Sequence, residues 1–356
     1  MSEVDDYLSE ITNAIDFSSM EEFLNSHVRT EITFEELVGR IATEGLDVLN
    51  AETICTFVFD TVFYEMSVAR PLFLKMLLFS LLFSVIHRFL VTNNKYVSDM
   101  GFFAIYTTLM ILLMQSFFMV RDIAMDGIDI LLKFLHALIP TYAITMVFSG
   151  NGVSGAMTYE VAFVMVYLVE TLIKYFLIPV VHIFVLVLFL NHLFDEDKLS
   201  KLAVFLENGI QAILKASFGA VIGLGIVQSL LTPAKDRLAN NTLLSGLSSI
   251  PGVGNAAGTA GEVLLSCGML IKNSVGVAAL LILVFLAVVP MLKIGCMWIM
   301  YHMLSIVLQP VADKRITECV SGVARGCNLY FKMVLYTMLL FFVLFSIVSA
   351  ATSFIY

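Results

Sequence analysis

Long apolar runs separated by short polar segments are the main pattern along the chain. The segment Gly101–Val120, GFFAIYTTLMILLMQSFFMV, contains no charged residue, and about 20 apolar residues suffice to cross a bilayer as a helix. Similar runs occupy Pro71–Val91, Thr158–Phe194, Ile210–Leu231, Val263–Leu308 and Leu329–Ala350. They are rich in Leu, Phe and Met and lack the alternating pattern of barrel strands. The pattern predicts an all-α, polytopic membrane protein with roughly seven to eight transmembrane helices.

Interruptions in these runs predict breaks in the helices. As one straight helix, Thr158–Phe194 would reach about 55 Å, whereas a hydrocarbon core is about 30 Å thick. Pro179, in its middle, is therefore predicted to join two helices or to break one sharply, and Pro290 to break a later run. Charged residues recur among Ile and Leu in Arg121–Ile139, which predicts an interfacial amphipathic helix that ends at Pro140.

A shift of 111 residues aligns landmarks in two parts of the chain. Pro140 then falls on Pro251, and Pro179 falls on Pro290. With three spans in each unit, the two copies would have opposite orientations, as in the inverted repeats of many transporters. If the interfacial helices also span the bilayer, the count is even and the repeats are parallel. The two possible repeats are residues 101–194 and 212–305.

Charge divides the chain into two parts. The first 52 residues hold 13 acidic residues and two basic ones, although the whole chain has a net charge of only −9. Helical spacing in SSMEEFLNSH and TFEELVGRIATEGLDVLN predicts an acidic amphipathic helical domain at residues 1–60. The membrane domain then covers residues 61–356. We expect the acidic domain to be a small solvated unit or a docking surface for a basic partner.

Among the charged residues within the apolar runs, four are candidate intramembrane charges, namely Glu170, Lys174, Lys272 and Lys293. Glu170 and Lys174 are spaced i, i+4 with the acid first, which predicts an ion pair on one helix face or a polar relay. Lys272 and Lys293 have no acid three or four residues away. Because an unpaired charge within a bilayer is costly, each lysine is predicted to reach the interface, a cavity or another helix.

A glycine-rich stretch, Ser248–Val263, reads SSIPGVGNAAGTAGEV. A dinucleotide-binding fingerprint would need a preceding strand and an acid about 20 residues further on. Here a polar linker precedes the stretch, and Asn273–Phe285 contains no acid. Close packing or a hinge between helices, and lining of a water-filled cavity, remain as interpretations. The candidate hinge or cavity-lining residues are Pro140, Pro179, Pro251, Gly252, Gly254, Gly258, Gly261 and Pro290.

Motifs of common enzymes are absent from the sequence. It has no H-E-x-x-H, G-x-S-x-G or Walker lysine loop, and its five cysteines form no C-x-x-C pair. We therefore expect no enzyme activity, no catalytic or metal-binding residues, no cofactor and no nucleic-acid partner. The lipid bilayer is the expected surrounding.

The opening MSEVDDYL has no basic n-region or apolar h-region, so no signal peptide is predicted. Lys and Arg counts in the loops favour an outside N-terminus by only a small margin.

Several stretches resemble one family in particular. SSIPGVGNAAGTAGEVLLSCGMLIKNSVGVAALLIL, VVPMLKI and LQPVADKRI are similar to the most characteristic part of the stage III sporulation protein AE family of endospore-forming bacteria. HALIPTY and FSGNGVSG fit the preceding half. The resemblance covers roughly residues 60–356 and is most specific in residues 245–320.

This resemblance implies a membrane component of the channel complex that joins mother cell and forespore during engulfment. The implied location is the bacterial inner membrane, in the mother-cell membrane around the forespore. Its implied partners are other stage III sporulation membrane proteins and a secretion-type ATPase, with a homo-oligomer also possible. Family members commonly begin with a signal peptide. Because no signal peptide is predicted for this chain, the resemblance leaves open which side of the membrane the N-terminal domain occupies and whether the chain is a trimmed form.

Three functions remain in view. The first is a non-enzymatic channel-like or permease-like subunit of the sporulation complex. The second is a stand-alone secondary transporter, which predicts a closed midplane cavity around Glu170, Lys174 and Lys272. The third is a structural scaffold that docks the ATPase and ring-forming proteins and has a dry, packed interior.

Overall fold

Long helices account for most of the structure. The computed structural model describes residues 15–27, 33–44, 51–90, 95–149, 152–193, 198–247, 254–310 and 312–352. Within these ranges there is no strand, which agrees with the predicted all-α class. The helices, in chain order, are α1 (Ser18–His27), α2 (Phe34–Glu44), α3 (Ala51–Leu90), α4 (Lys95–Phe148), α5 (Gly152–Leu172), α6 (Ile178–Leu193), α7 (Ser200–Leu247), α8 (Gly254–Leu308) and α9 (Lys314–Thr352).

Five helical segments in the described part of the chain are long and apolar enough to cross a membrane. They are Tyr106–Met146, Glu160–Asn191, Ser200–Val227, Met269–Leu308 and Lys314–Ser346. The polytopic helical class is therefore confirmed, while the predicted count of seven to eight spans is confirmed only in part. The predicted first span, Pro71–Val91, lies mostly in α3, which is not among the five. Val91 lies outside the described residues.

The prediction that Arg121–Ile139 forms a separate interfacial helix ending at Pro140 is wrong. Helix α4 runs without interruption from the apolar segment through Arg121–Ile139 and past Pro140. Leu131 and Leu135 before the proline and Tyr142 after it are all buried, so the packed face continues across it. A proline removes one backbone hydrogen bond, and packing against neighbouring helices compensates for that loss.

Pro290 likewise lies inside a continuous helix, α8, and does not end it. Its ring packs against α4 at Gly127. A Cβ added to that glycine would lie 2.8 Å from Pro290 Cβ. The proline therefore takes part in a close contact between α4 and α8. Its expected role as a hinge stays a prediction.

The break near Pro179 takes the form of a π turn. Residues Ile173–Leu177 form one i→i+5 turn between α5 and α6, directly before Ile178 and Pro179. The residues that flank the turn keep α-helical backbone angles, and Glu160–Asn191 forms a single candidate span. The predicted meeting of two helices at Pro179 is therefore corrected to one helical span that contains a π turn before the proline.

Helix α9 lies at the centre of the bundle, where it packs against α4, α5, α6, α7 and α8. Its buried residues, which include Val323, Tyr330 and Phe341, belong to one hydrophobic core with the facing sides of the other helices. The opposite sides of the spanning helices expose large apolar residues such as Phe205 and Ile299. Exposed apolar surface of this kind suits contact with lipid.

The two N-terminal helices pack onto the membrane helices. Helix α1 contacts α4, and α2 contacts α8. The ring centroids of Phe23 and Phe134 are 5.6 Å apart, and Thr141 Oγ1 donates a hydrogen bond to the backbone oxygen of Asp16 at 3.1 Å. The acidic helices thus bury one face against the bundle. The predicted domain boundary at residue 60 falls inside α3 and stays a prediction.

Acidic side chains stabilise the starts of both N-terminal helices. Asp16 accepts a hydrogen bond from the backbone N–H of Ser18 at 2.9 Å, and Glu21 accepts from the backbone N–H of Phe34 at 2.5 Å. Carboxylates at helix starts satisfy amide groups that have no partner within the helix. The side chain and the backbone N–H of Ser18, hydrogen-bonded to Asp16, lower the pKa of that carboxyl.

Candidate functional site

The structure describes only part of the glycine-rich stretch. Pro251 and Gly252 lie outside the described residues. Gly254, Gly258 and Gly261 belong to the first turns of α8, but their surroundings are outside the description. Whether these glycines serve packing, a hinge or cavity lining therefore stays a prediction.

Glu170 is the most deeply buried acid in the described part of the bundle. Its side chain, on α5, is fully buried. Thr337 Oγ1, on α9, lies 3.0 Å from Glu170 Oε2 and 3.1 Å from the backbone oxygen of Met333. The other carboxyl oxygen, Oε1, is buried and has no hydrogen-bond partner. The structure thus places a polar contact between two helices in an otherwise apolar interface.

The predicted pairing of Glu170 with Lys174 does not form. Lys174 Nζ instead contacts Asp129 Oδ1 of α4 at 2.5 Å. Lys174 lies at the start of the π turn and contacts α4, whereas Glu170 contacts α9. The resulting pair is only partly buried, whereas Glu170 is left without a cationic partner among the described contacts.

The two remaining lysines have different environments. Lys272 of α8 is 2% exposed, and its predicted role as a site residue stays a prediction. Lys293 Nζ lies 3.6 Å from Glu65 Oε1, and its side chain is 38% exposed. Lys293 therefore reaches another helix, α3, which was one of the outcomes that the sequence left open.

Further polar contacts inside the bundle were not singled out from the sequence. Tyr301 donates a hydrogen bond to Ser116 and so links α8 to α4. Tyr106 donates to the backbone oxygen of Phe189 at 2.6 Å, and Tyr330 Oη lies 3.0 Å from His182 Nδ1. Single polar residues within apolar runs are the signal that could have found them. Their partners lie far apart in sequence, so the pairing itself could not be found in this way.

A G-x-x-x-G motif in α9 was also missed. A Cβ on Gly322 would lie 3.1 Å from Leu188 Cδ1, and one on Gly326 would lie 2.6 Å from Val185 Cγ2 and 2.7 Å from Phe117 Cε2. The two glycines therefore allow α6 and α4 to approach α9 closely. Small residues four positions apart are a common signal for such contacts in membranes.

Among the grooves on the surface of the described bundle, two have charged or polar residues in their linings. The larger, about 580 Å³, lies between α4 and α6 and is lined by Arg121, Lys174, Pro179 and His182 together with apolar side chains. The smaller, about 360 Å³, is lined in part by Asn191 and by charged residues of α9. Of the three residues expected around a closed cavity, only Lys174 lines either groove. Glu170 and Lys272 are buried in the packed interior.

Among the described residues, no group of three or more His, Cys, Asp or Glu side chains could hold a metal ion. The described cysteines, Cys267, Cys296, Cys319 and Cys327, are buried free thiols.

Long apolar helices packed around buried polar side chains define a polytopic helical membrane protein. Within that class, the chain belongs to the stage III sporulation protein AE family, because the sequence model of that family matches residues 32–352. The resemblance seen in the sequence is thereby confirmed, and with it a role in sporulation.

A relative in Bacillus subtilis (strain 168) carries the name stage III sporulation protein AE. It is 24% identical to this chain over 257 residues. The match covers 72% of this chain and 64% of the relative, so the chain spans less than two thirds of that protein's length. No solved structure matches the chain.

Proposed function

We propose that the protein is a non-enzymatic, channel-like or permease-like membrane subunit of a complex that links mother cell and forespore. In this proposal it lies in the mother-cell membrane around the forespore. Its partners are other stage III sporulation membrane proteins and a secretion-type ATPase. Membership of a sporulation family supports the setting.

The contact between Glu170 and Thr337 is the observation that favours transport over a purely structural role. Ionisable side chains inside a membrane bundle are costly, and they commonly mark substrate or ion pathways. This contact joins α5 to α9, the central helix of the bundle. Other buried polar side chains within the spanning segments also favour a transport role. They are Ser116, Thr141, Thr145, Lys272 and Ser274.

A structural scaffold is the second candidate. The close approach of helices at Gly322 and Gly326 favours it, because tight packing around the central helix suits a rigid bundle. The two candidates differ in one physical respect. A permease-like bundle admits water to its interior during its working cycle, whereas a scaffold keeps the same interior dry.

Cysteine accessibility distinguishes these two functions. Thr337→Cys would be introduced into a chain whose own cysteines are replaced, and sporulating cells would be treated with a thiol reagent that cannot cross membranes. The matched control is Ile299→Cys, on an exposed apolar face of α8. We expect labelling of Thr337→Cys well above that control. Equal protection of both positions, in variants that still support sporulation, would favour the scaffold.

A further inference from the structure

Thr337 of α9 has two acceptors within reach of its hydroxyl group and only one proton to donate. Its hydroxyl oxygen lies within hydrogen-bond distance of Glu170 Oε2 and of the backbone oxygen of Met333. A threonine hydroxyl carries a single proton, so it can donate fully to only one of them. A carboxylate and a carbonyl accept hydrogen bonds but cannot donate.

Protonation of Glu170 resolves this arrangement. The acid proton on Oε2 is then donated to Thr337 Oγ1, and the Thr337 hydroxyl donates to Met333 O. Donation from threonine to the carbonyl four residues earlier is a common pattern in helices. Each proton then has one acceptor, and the two contacts form a chain from α5 to the backbone of α9.

The burial of the second carboxyl oxygen of Glu170 agrees with a protonated, neutral side chain. Glu170 Oε1 is buried without a hydrogen-bond partner. A buried carboxylate normally requires several donors or a cation, whereas an acid carbonyl without a donor costs much less. Glu170 has neither a second donor nor an ion-pair partner among the contacts of the described residues.

None of the described contacts of Glu170 involves a charged group on the helices that pack against α5. On α4, Asp129 pairs with Lys174, and on α7 Glu207 pairs with Arg325 of α9. The other charged or titratable side chains described on the spanning parts of these helices include Arg121, Asp122, Asp126, Lys133, His136, Lys201, Lys215, Glu318 and Lys332. Among the described residues, the hydrogen-bond partner of Glu170 is Thr337 of α9.

We infer that Glu170 and Thr337 form a proton-binding site between α5 and α9, in which Glu170 holds a proton at neutral pH. Release of that proton would leave a buried carboxylate with an unpartnered oxygen. Such a state favours any arrangement of α5 and α9 that admits water or a cation to the interface. The inference rests on the contacts of these side chains and does not depend on the proposed function.

Infrared spectroscopy of the purified full chain in lipid nanodiscs tests the inference. A protonated carboxyl group has a carbonyl stretch that lies apart from the amide and carboxylate bands. At neutral pH we expect this band in the wild type and its loss in Glu170→Gln. Thr337→Val should keep the band but shift it, because the acid loses its acceptor. The matched control, Glu207→Gln, removes a glutamate that pairs with Arg325 and should leave the band unchanged.

Isotope labelling keeps the test independent of how the variants fold. Glutamate labelled with ¹³C at the side-chain carboxyl should move the band in the unmodified chain. Absence of a carboxylic-acid band at neutral pH would overturn the inference, and so would a band that persists unchanged in Glu170→Gln. These outcomes concern only the proton, so they are separate from the outcome of the cysteine-accessibility experiment.

Discussion

Replacement of Gly326 by alanine should weaken the contact of α9 with α6 and α4. The added Cβ would lie 2.6 Å from Val185 Cγ2 and 2.7 Å from Phe117 Cε2. Carbon atoms in contact are normally about 3.5–4.0 Å apart, so the neighbours must move by roughly 1 Å. Both neighbours are themselves buried in the core. Overpacking of this kind typically costs about 1–3 kcal/mol.

Gly219 provides a matched control on α7, because a Cβ there would meet no atom within 4 Å. Alanine in a helix interior is favoured over glycine by roughly 0.5–1 kcal/mol in both variants, so this gain cancels in the comparison. We therefore expect Gly326→Ala to be about 1–3 kcal/mol less stable than Gly219→Ala.

Unfolding in mixed micelles of mild and denaturing detergent can measure this difference. The single tryptophan, Trp298, is a convenient fluorescent probe, since its ring lies 6.2 Å from that of Phe331 in the folded bundle. Equal stability of the two variants, or greater stability of Gly326→Ala, would refute the close approach of the helices at this glycine.

Two further predictions concern charged residues. Exchanging the charges of Asp129 and Lys174 in a double variant should restore most of the stability that each single reversal removes. Denaturation measurements should give a coupling free energy of about 1 kcal/mol between the two residues. Coupling of Lys174 to Glu170 instead would contradict the observed pair. Asp16, whose pKa is lowered in the folded protein, should stabilise the fold above its unfolded pKa of about 3.9, and this contribution should be lost as the pH falls through the lower folded value. The stability of Asp16→Asn should accordingly fall less in acid than that of the wild type, and parallel pH profiles would count against this role.

The sequence predicted much of the fold because that part depends on local composition. The run Gly101–Val120 identified a membrane helix without any knowledge of its neighbours, and the helical spacing near Phe34 identified α2 in the same way. The error at Pro140 has the opposite origin. Local propensity predicted an end to the helix, but side chains on both sides of the proline are buried against other helices, which keeps α4 continuous.

In the candidate site, too, local composition revealed some residues, whereas contacts with distant helices revealed others. The sequence identified Glu170 and Lys272 as charges within apolar runs, and both are buried in the structure. It did not identify Thr337, because a threonine in an apolar helix is common and nothing local distinguishes this one. Gly326 was missed for a different reason, since its G-x-x-x-G spacing was present in the sequence but was not considered.

The helical membrane class and the sporulation family could both be recognised from consecutive residues alone. Apolar length, the need to satisfy the backbone within lipid and the characteristic motifs are all properties of consecutive residues. The partners of Glu170 and Lys174 depend instead on how distant helices pack. Lys174 pairs with Asp129 and Glu170 contacts Thr337, across separations of 45 and 167 residues. The packing of distant helices determines which groups meet, and the spacing of Glu170 and Lys174 along one segment does not reveal it.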